Sequence, residues 1–270
     1  MKAEDFKYFI LLYLAVIVLE AITFLIKEGK TDRIKDVLLN ISAGMLGTVM
    51  TGLIIKAIAI QVLIQVHNIS PVKLADNFIS FFCCLLLLDF LYYWAHRIGH
   101  NTSLGWASHI VHHSSREFNF SVGLRQGVTQ HVFGVFYIPL AFIGFSPEII
   151  LAAYVTSAAF QFFSHNNYIK KMPAWIEYLF VTPSHHRVHH HSGRAAYGKN
   201  YGGILILWDR IFGTFVNEDK IFSKEYGVVN HPHTFNIITI NFYYFNLLYR
   251  QLKMRKSLFG KVKKLVENPT

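Results

Sequence analysis

The apolar positions of this chain neither alternate nor trace a narrow helical stripe; they run in blocks. Residues 8–26, 41–66 and 78–95 are almost continuously hydrophobic, interrupted by single charges at Glu20, Lys56 and Asp89. A helix needs ~20 mostly apolar residues to cross a bilayer core, so each block predicts a membrane span. A fourth stretch, 128–164, carries Glu148 as its one charge and is broken by "GFSPE" at 144–148. That break predicts a helical hairpin that enters and leaves on the same side. The first block is too long for the apolar region of a cleavable signal peptide, and its flank mixes Lys2, Glu4, Asp5 and Lys7.

The remaining segments, 96–127 and 165–240, are polar and contain no Pro/Ser/Gly-rich linker or fixed-period repeat. One domain over residues 1–270 is therefore expected. It is all-α, with multi-pass membrane helices carrying a cytoplasmic helical cap. Because the hairpin returns to its own side, the two polar segments can meet there.

Composition adds little, since 53% hydrophobic residues is close to the share in soluble proteins. Charge adds more. The net charge is +10, with basic residues gathered at Lys27, Lys30, Arg33 and Lys35 and in the C-terminal "RQLKMRKSLFGKVKK". Loop 67–77 has Lys73 as its one basic residue. This asymmetry places loop 27–40 in the cytoplasm, loop 67–77 outside and residue 96 back inside. Basic clusters beside spans fit anionic lipid headgroups, so nucleic acid is set aside as a partner. The tail 241–264 mixes aromatic, aliphatic and basic residues and reads as an interfacial amphipathic helix. Cys83 and Cys84 are adjacent within a span and offer no disulfide framework.

The candidate chemistry lies in the histidines. "HRIGH" places His96 and His100 four residues apart, and "HIVHH" places His109, His112 and His113 at i, i+3 and i+4. "TPSHHRVHHH" repeats that pattern at His186, His189 and His190. On a helix these offsets share a face, so the rings can point at a common centre. Thr182 can cap the third helix, Pro183 suits its first position, and Gly193 would end it. His165, where the hairpin returns, joins the set. Nine imidazoles exceed the four ligands of one zinc and suit two ions of higher coordination number. Imidazole alone does not choose between iron, zinc, copper and nickel.

His185 and His191 stay open as ligands, whereas His67, His131, His231 and His233 fall outside the pattern. Asp89 is the candidate carboxylate for orienting the ligand rings; the alternative is a pairing with Arg97 or a backbone donor. Asn101 and Arg125 are candidates for tuning the ligands or the substrate. Asp209 and Arg210 are expected to pair and fix a loop after the third cluster. Two function classes follow: an O2-dependent lipid oxygenase, or a membrane metal transporter or metal-binding protein. The clusters follow the spans instead of interrupting them, which favours the enzyme.

"DFLYYWAHRIGH", "HIVHHSS" and "TPSHHRVHHH" resemble the three histidine boxes of the fatty acid hydroxylase/sterol desaturase superfamily of membrane di-iron oxygenases. The resemblance covers about residues 85–215. Within it, "LRQ" at 124–126 and "KNYGGILILWDRIFGTF" at 199–215 are most similar to the branch acting on alkylglycerols, although Asn101 stands where that branch has an acidic residue. The resemblance implies two iron ions, O2 as co-substrate and a lipid substrate. The reaction would be hydroxylation at a C–H bond such as the ether-linked carbon of an alkylglycerol, or hydroxylation or desaturation of a sterol or fatty-acyl chain. It also implies an electron donor: cytochrome b5, a ferredoxin or reductase, or tetrahydrobiopterin in the alkylglycerol branch. The setting would be a bacterial inner membrane or endoplasmic reticulum, with the site facing the cytoplasm.

Overall fold

The computed structural model describes residues 3–28, 31–221, 225–229 and 231–269. Among them the regular structure is helical, and the β-type contacts are isolated bridges, Phe180 with Leu205 and His191 with Tyr226. The all-α expectation agrees with this.

Helices α1 (Ala3–Glu28) and α2 (Thr31–Gly47) form the first pair. Here the structure corrects the sequence reading. Residues 31–47 are helical, so most of the expected loop 27–40 is α2, and its polar residues Asp36 and Asn40 are buried. The expected span 41–66 is divided among the end of α2, a π-helical turn (Thr48–Gly52) and α3 (Leu53–Ile69). The two helical stretches are bent by 54°. Close packing accounts for the glycines of this region. A Cβ on Gly44 would stand 2.4 Å from Leu124 O, so α2 passes directly against the chain that follows the second histidine cluster.

Helix α4 (Phe78–Asn101) has its N-terminus capped by Asn77, whose side chain accepts from Ser80 N–H at 2.9 Å. With 24 residues it is ~36 Å long. It is the one described helix long and apolar enough by itself to cross a membrane, with mean hydropathy 1.9. The helix does not stop at residue 95; its last two turns carry His96 and His100.

After the single extended residue Thr102, α5 (Ser103–His113) carries the second cluster. The corner is tight: a Cβ on Gly105 would lie 2.8 Å from Gly99 Cα, so a larger residue would push the two histidine-bearing helices apart.

The helix–turn–helix expected over 128–164 is present. A 3-10 stretch (Gln130–Tyr137) leads into α6 (Ile138–Ile143), and α7 (Pro147–Ser164) returns. The reversal uses Gly144 at φ 116°, Ser146 as N-cap and Pro147 at the first helical position. Leu88 and Cys84 of α4 pack with Leu140, Ala141, Phe145, Ile150 and Ala153 of the hairpin, which brings the end of α7 to the histidine end of α4.

The cap adds α8 (Ala174–Leu179), α9 (Pro183–His189), α10 (Leu207–Ile211), α11 (Ile237–Met254) and α12 (Leu258–Val266). The tail is thus two helices and not one interfacial helix. Ile240, Tyr244 and Leu248 of α11 are buried against Trp106, Ala107, Ile110 and Val111 of α5, whereas α12 leaves Leu258, Phe259, Val262 and Val266 exposed.

Candidate metal centre

Four elements deliver the histidines: the end of α4, all of α5, the residue after α7, and α9. Helix α9 starts as its sequence predicts. Pro183 occupies the first turn, and Thr182 N–H donates to His185 Nδ1 at 3.3 Å. The helix ends at His189, with His190 as its C-cap, ahead of Gly193.

All nine candidate ligands converge, in two groups. His96, His100, His109, His113 and His189 form one; His112, His165, His186 and His190 form the other. Within each group one nitrogen per ring lies within 4.8 Å of the others. The partition divides the second and third clusters, whose shared face allowed all their rings to point at one centre. In each cluster the i, i+4 pair shares a group; in the second and third clusters the i+3 residues, His112 and His189, belong to the neighbouring group. The two groups adjoin: the His113 and His190 rings stack across the divide with centroids 4.3 Å apart.

His185 and His191 belong to neither group. His185 Nε2 lies 3.0 Å from Glu177 Oε2, and His191 Nδ1 accepts from Gly193 N–H at 2.8 Å. His67, His131, His231 and His233 also lie outside both groups.

The outer nitrogens reveal the protonation pattern. Nδ1 of His96, His112, His165 and His189 faces the carbonyls of Tyr201 (2.9 Å), Arg125 (3.2 Å), Gln161 (2.9 Å) and Lys199 (2.9 Å). A carbonyl only accepts, so each Nδ1 carries the proton and each Nε2 keeps a lone pair. Yet His112 Nε2 and His165 Nε2 sit 3.4 Å apart, and His189 Nε2 is buried without a hydrogen-bond partner. Two facing lone pairs cannot hydrogen-bond to each other; a cation between them resolves the conflict.

Distances agree with that conclusion. Imidazole–metal bonds of about 2.0–2.1 Å at octahedral or tetrahedral angles place neighbouring donors about 2.8–3.4 Å apart. The close Nε2 pairs measure 3.1 Å (His96–His109), 3.2 Å (His113–His109), 3.4 Å (His165–His112) and 2.9 Å (His186–His165). The donor set therefore fits two metal ions.

Burial keeps these rings neutral. All nine are only 4–7% exposed. Burial lowers His109 to about 3 and His165 and His189 to about 4, against the raising effect of their contacts with Gln130, the Gln161 carbonyl and the Lys199 carbonyl. His112, His113, His186 and His190 are lowered well below the ordinary value by burial first and neighbouring imidazoles second. Ligands in this state need lose no proton to bind metal.

The remaining candidates have structural work. Asp89 orients no imidazole. It accepts from Ile204 N–H (2.7 Å), Leu205 N–H (3.0 Å) and Trp208 Nε1–H (2.9 Å), the backbone-donor alternative. Main-chain carbonyls do the orienting expected of carboxylates. Asn101 donates to Oη of Tyr201 at 3.3 Å, the residue whose carbonyl holds His96. Arg125 is 2% exposed and binds Val111 O, Ser114 Oγ, Asp36 and Asn40, while its carbonyl takes His112. Asp209 and Arg210 do not pair. Asp209 receives Tyr201 N–H, Gly202 N–H and Thr214 Oγ1–H, whereas Arg210 donates to the carbonyls of Glu177 and Tyr178 and lies over Phe215.

Sequence spacing gave no signal for Asp36, Asn40, Glu177 or Glu218, which come from distant elements. Arg187, inside the third cluster, could have been flagged by its position. It is buried and clamps α9 through Glu218 and the carbonyls of Asn166, Ile169 and Lys170. Burial opposes ionisation of Glu177, but His185, Met172 N–H and Ser184 outweigh it and bring that carboxyl down to about 2.

Comparison with known proteins bears on this centre. Residues 81–214 match the family model for fatty acid hydroxylase. Alkylglycerol monooxygenase of Homo sapiens is 34% identical over 262 residues, covering 95% of this chain and 58% of the relative. The Danio rerio alkylglycerol monooxygenase is 35% identical over 263 residues, covering 95% and 57%. The ornithine lipid hydroxylase of Rhizobium tropici is 30% identical over 146 residues, covering 53% and 44%. This chain thus spans somewhat more than half the length of the alkylglycerol monooxygenases it matches. No solved structure matches it significantly. All three histidine clusters lie inside the matched segment, and through residues 81–214 the chain belongs to the fatty acid hydroxylase family.

Proposed function

We propose that this chain is a membrane-bound, O2-dependent lipid hydroxylase or monooxygenase holding two iron ions. His96, His100, His109, His113 and His189 hold one ion, and His112, His165, His186 and His190 hold the other. Iron bound there supplies O2 activation and removal of hydrogen from an unactivated C–H bond. The protein's own part is preparation. Carbonyls of Tyr201, Arg125, Gln161 and Lys199 keep the outer nitrogens protonated and the inner ones free. Burial of all nine rings excludes water from the ligand set. Asp89 and Asp209 fasten the 200–208 segment whose Tyr201 carbonyl holds His96.

The proposed substrate carbon is the ether-linked carbon of an alkylglycerol, and the similarity to alkylglycerol monooxygenases over 95% of the chain supports that choice. Tetrahydrobiopterin is the proposed electron donor, with cytochrome b5 or a ferredoxin-type reductase as the alternative. The proposed setting is a multi-pass arrangement of α1, the bent α2–α3 pair, α4 and the hairpin, with the centre on the cytoplasmic side. The length and hydropathy of α4 support it. The long lipid tail could then stay among the spans while its polar end reaches the cap.

The observation that carries this reading is the pair His112 Nε2 and His165 Nε2, 3.4 Å apart while both Nδ1 atoms face carbonyls, within nine converging rings. The experiment is metal analysis of the purified full chain, together with O2 uptake on an alkylglycerol. The expected result is two tightly held irons per chain and product formed with O2 consumed. Active protein with fewer than two ions, or an inactive one with readily exchanged zinc or copper, would refute it.

A further inference from the structure

Among the contacts that anchor outer ring nitrogens in the five-nitrogen group, one differs in kind. His96 and His189 use main-chain carbonyls, whereas His109 Nδ1 meets the side-chain amide of Gln130, with Oε1 at 3.2 Å and Nε2 at 3.1 Å. The orientation of that amide follows from the opposite edge of the ring. His109 Nε2 lies 3.1 Å from His96 Nε2 and 3.2 Å from His113 Nε2, inside the ligand group, and must present its lone pair there. Nδ1 then carries the proton, and Gln130 Oε1 accepts it.

We propose that Gln130 is the positioning residue for His109. It fixes the tautomer, ring orientation and donor strength of that ligand, and therefore acts on one of the two ions only. This rests on the two-ion reading above.

The fold holds Gln130 in place. A Cβ on Gly127 would lie 2.7 Å from Ser108 O, so the chain passes flat against α5 one residue before His109. Val128 N–H donates to Asn241 Oδ1 at 3.0 Å, and Gln130 N–H donates to Gly127 O at 3.0 Å. The entry limb of the hairpin is thereby tied to the five-nitrogen group. A main-chain carbonyl is present whatever the side chain, but this anchor depends on residue type. A carboxamide oxygen accepts the Nδ1 proton while leaving the imidazole neutral. A carboxylate at the same reach would draw that proton harder and make His109 a stronger donor.

The test uses the iron-loaded full chain and its Gln130→Leu and Gln130→Glu variants. It reads chelator-driven iron release and the Mössbauer spectrum. In Gln130→Leu, one of the two irons should leave about 10–100-fold faster, with the other at the wild-type rate. Gln130→Glu should restore retention and shift the spectral parameters of one iron. Equal acceleration of both irons, or no acceleration in Gln130→Leu, overturns the proposal, as does a Gln130→Glu spectrum identical to wild type. If Gln130→Leu does not fold, the Gln130→Glu spectrum decides alone. Wild-type protein that binds no iron pair would instead overturn the two-ion reading.

Discussion

Replacing Arg125 by methionine separates two roles for this residue: contact with substrate, and support of the metal site from behind. The guanidinium donates to Val111 O at 2.9 Å, Ser114 Oγ at 2.9 and 3.1 Å, Asn40 Oδ1 at 2.6 Å and Asp36 Oδ1 at 3.3 Å. Methionine fills similar volume but leaves Asp36 without its cation and takes the donor from Ser114 Oγ and Asn40 Oδ1, whereas Val111 O keeps Ser114 as a donor. Removing one partner of a buried ion pair costs ~3–5 kcal/mol. Asp36 keeps Ser115 and Asn40 as donors, and its side chain is 13% exposed, which puts the expectation near the lower end, about 3 kcal/mol. In a melt of the detergent-solubilised chain this is a fall of roughly 6–12 °C. The double variant Arg125→Met/Asp36→Asn should recover part of the loss, because the stranded charge goes too. His112 is held by the Arg125 carbonyl and not by its side chain. Below the melting range, the variant should therefore keep both irons. A variant that melts like wild type yet fails to turn over would refute this account and place the guanidinium on the substrate.

Two further outcomes follow from the same geometry. His189→Ala should lose the ion of the five-nitrogen group, and His112→Ala that of the four-nitrogen group. His231→Ala, outside both groups, should retain two by mass spectrometry; equal behaviour of all three would reject the ligand assignment. Metal-free protein should be acid-sensitive. His109, at about 3, and His165 and His189, at about 4, lie below the ordinary histidine value of 6.5, so the unfolded chain binds protons that the folded one refuses. Their contribution to stability is complete above about 6.5 and is lost as pH falls through about 4 towards about 3. Denaturant titrations of the metal-free chain at several pH values between 7 and 4 check this, and a flat stability across that interval would contradict it.

Much of this protein was decided locally and so was legible in its sequence. The hairpin break needs a residue that tolerates φ 116°, and Gly144 supplies it. The third histidine helix needs an N-terminal residue without a required N–H, and Pro183 supplies that. The i, i+4 spacing alone puts His96 beside His100, His109 beside His113, and His186 beside His190. These features depend on contacts a few residues apart, which a linear pattern records.

Which ion each ring serves was not decided locally. His112 and His113 are neighbours in sequence but lie about 100° apart around α5. They face different partners, so one joins His165 and the other His189. Likewise, the burial of Asp36 and Asn40 and the reach of Gln130 to His109 depend on where α2 and the hairpin pack. The use of carbonyls where carboxylates were expected has the same origin. Segments 125, 161 and 199–201 are brought past the rings by packing, and backbone oxygens are present in any sequence. Sequence spacing chose the donors; packing of distant elements assigned them to their ions.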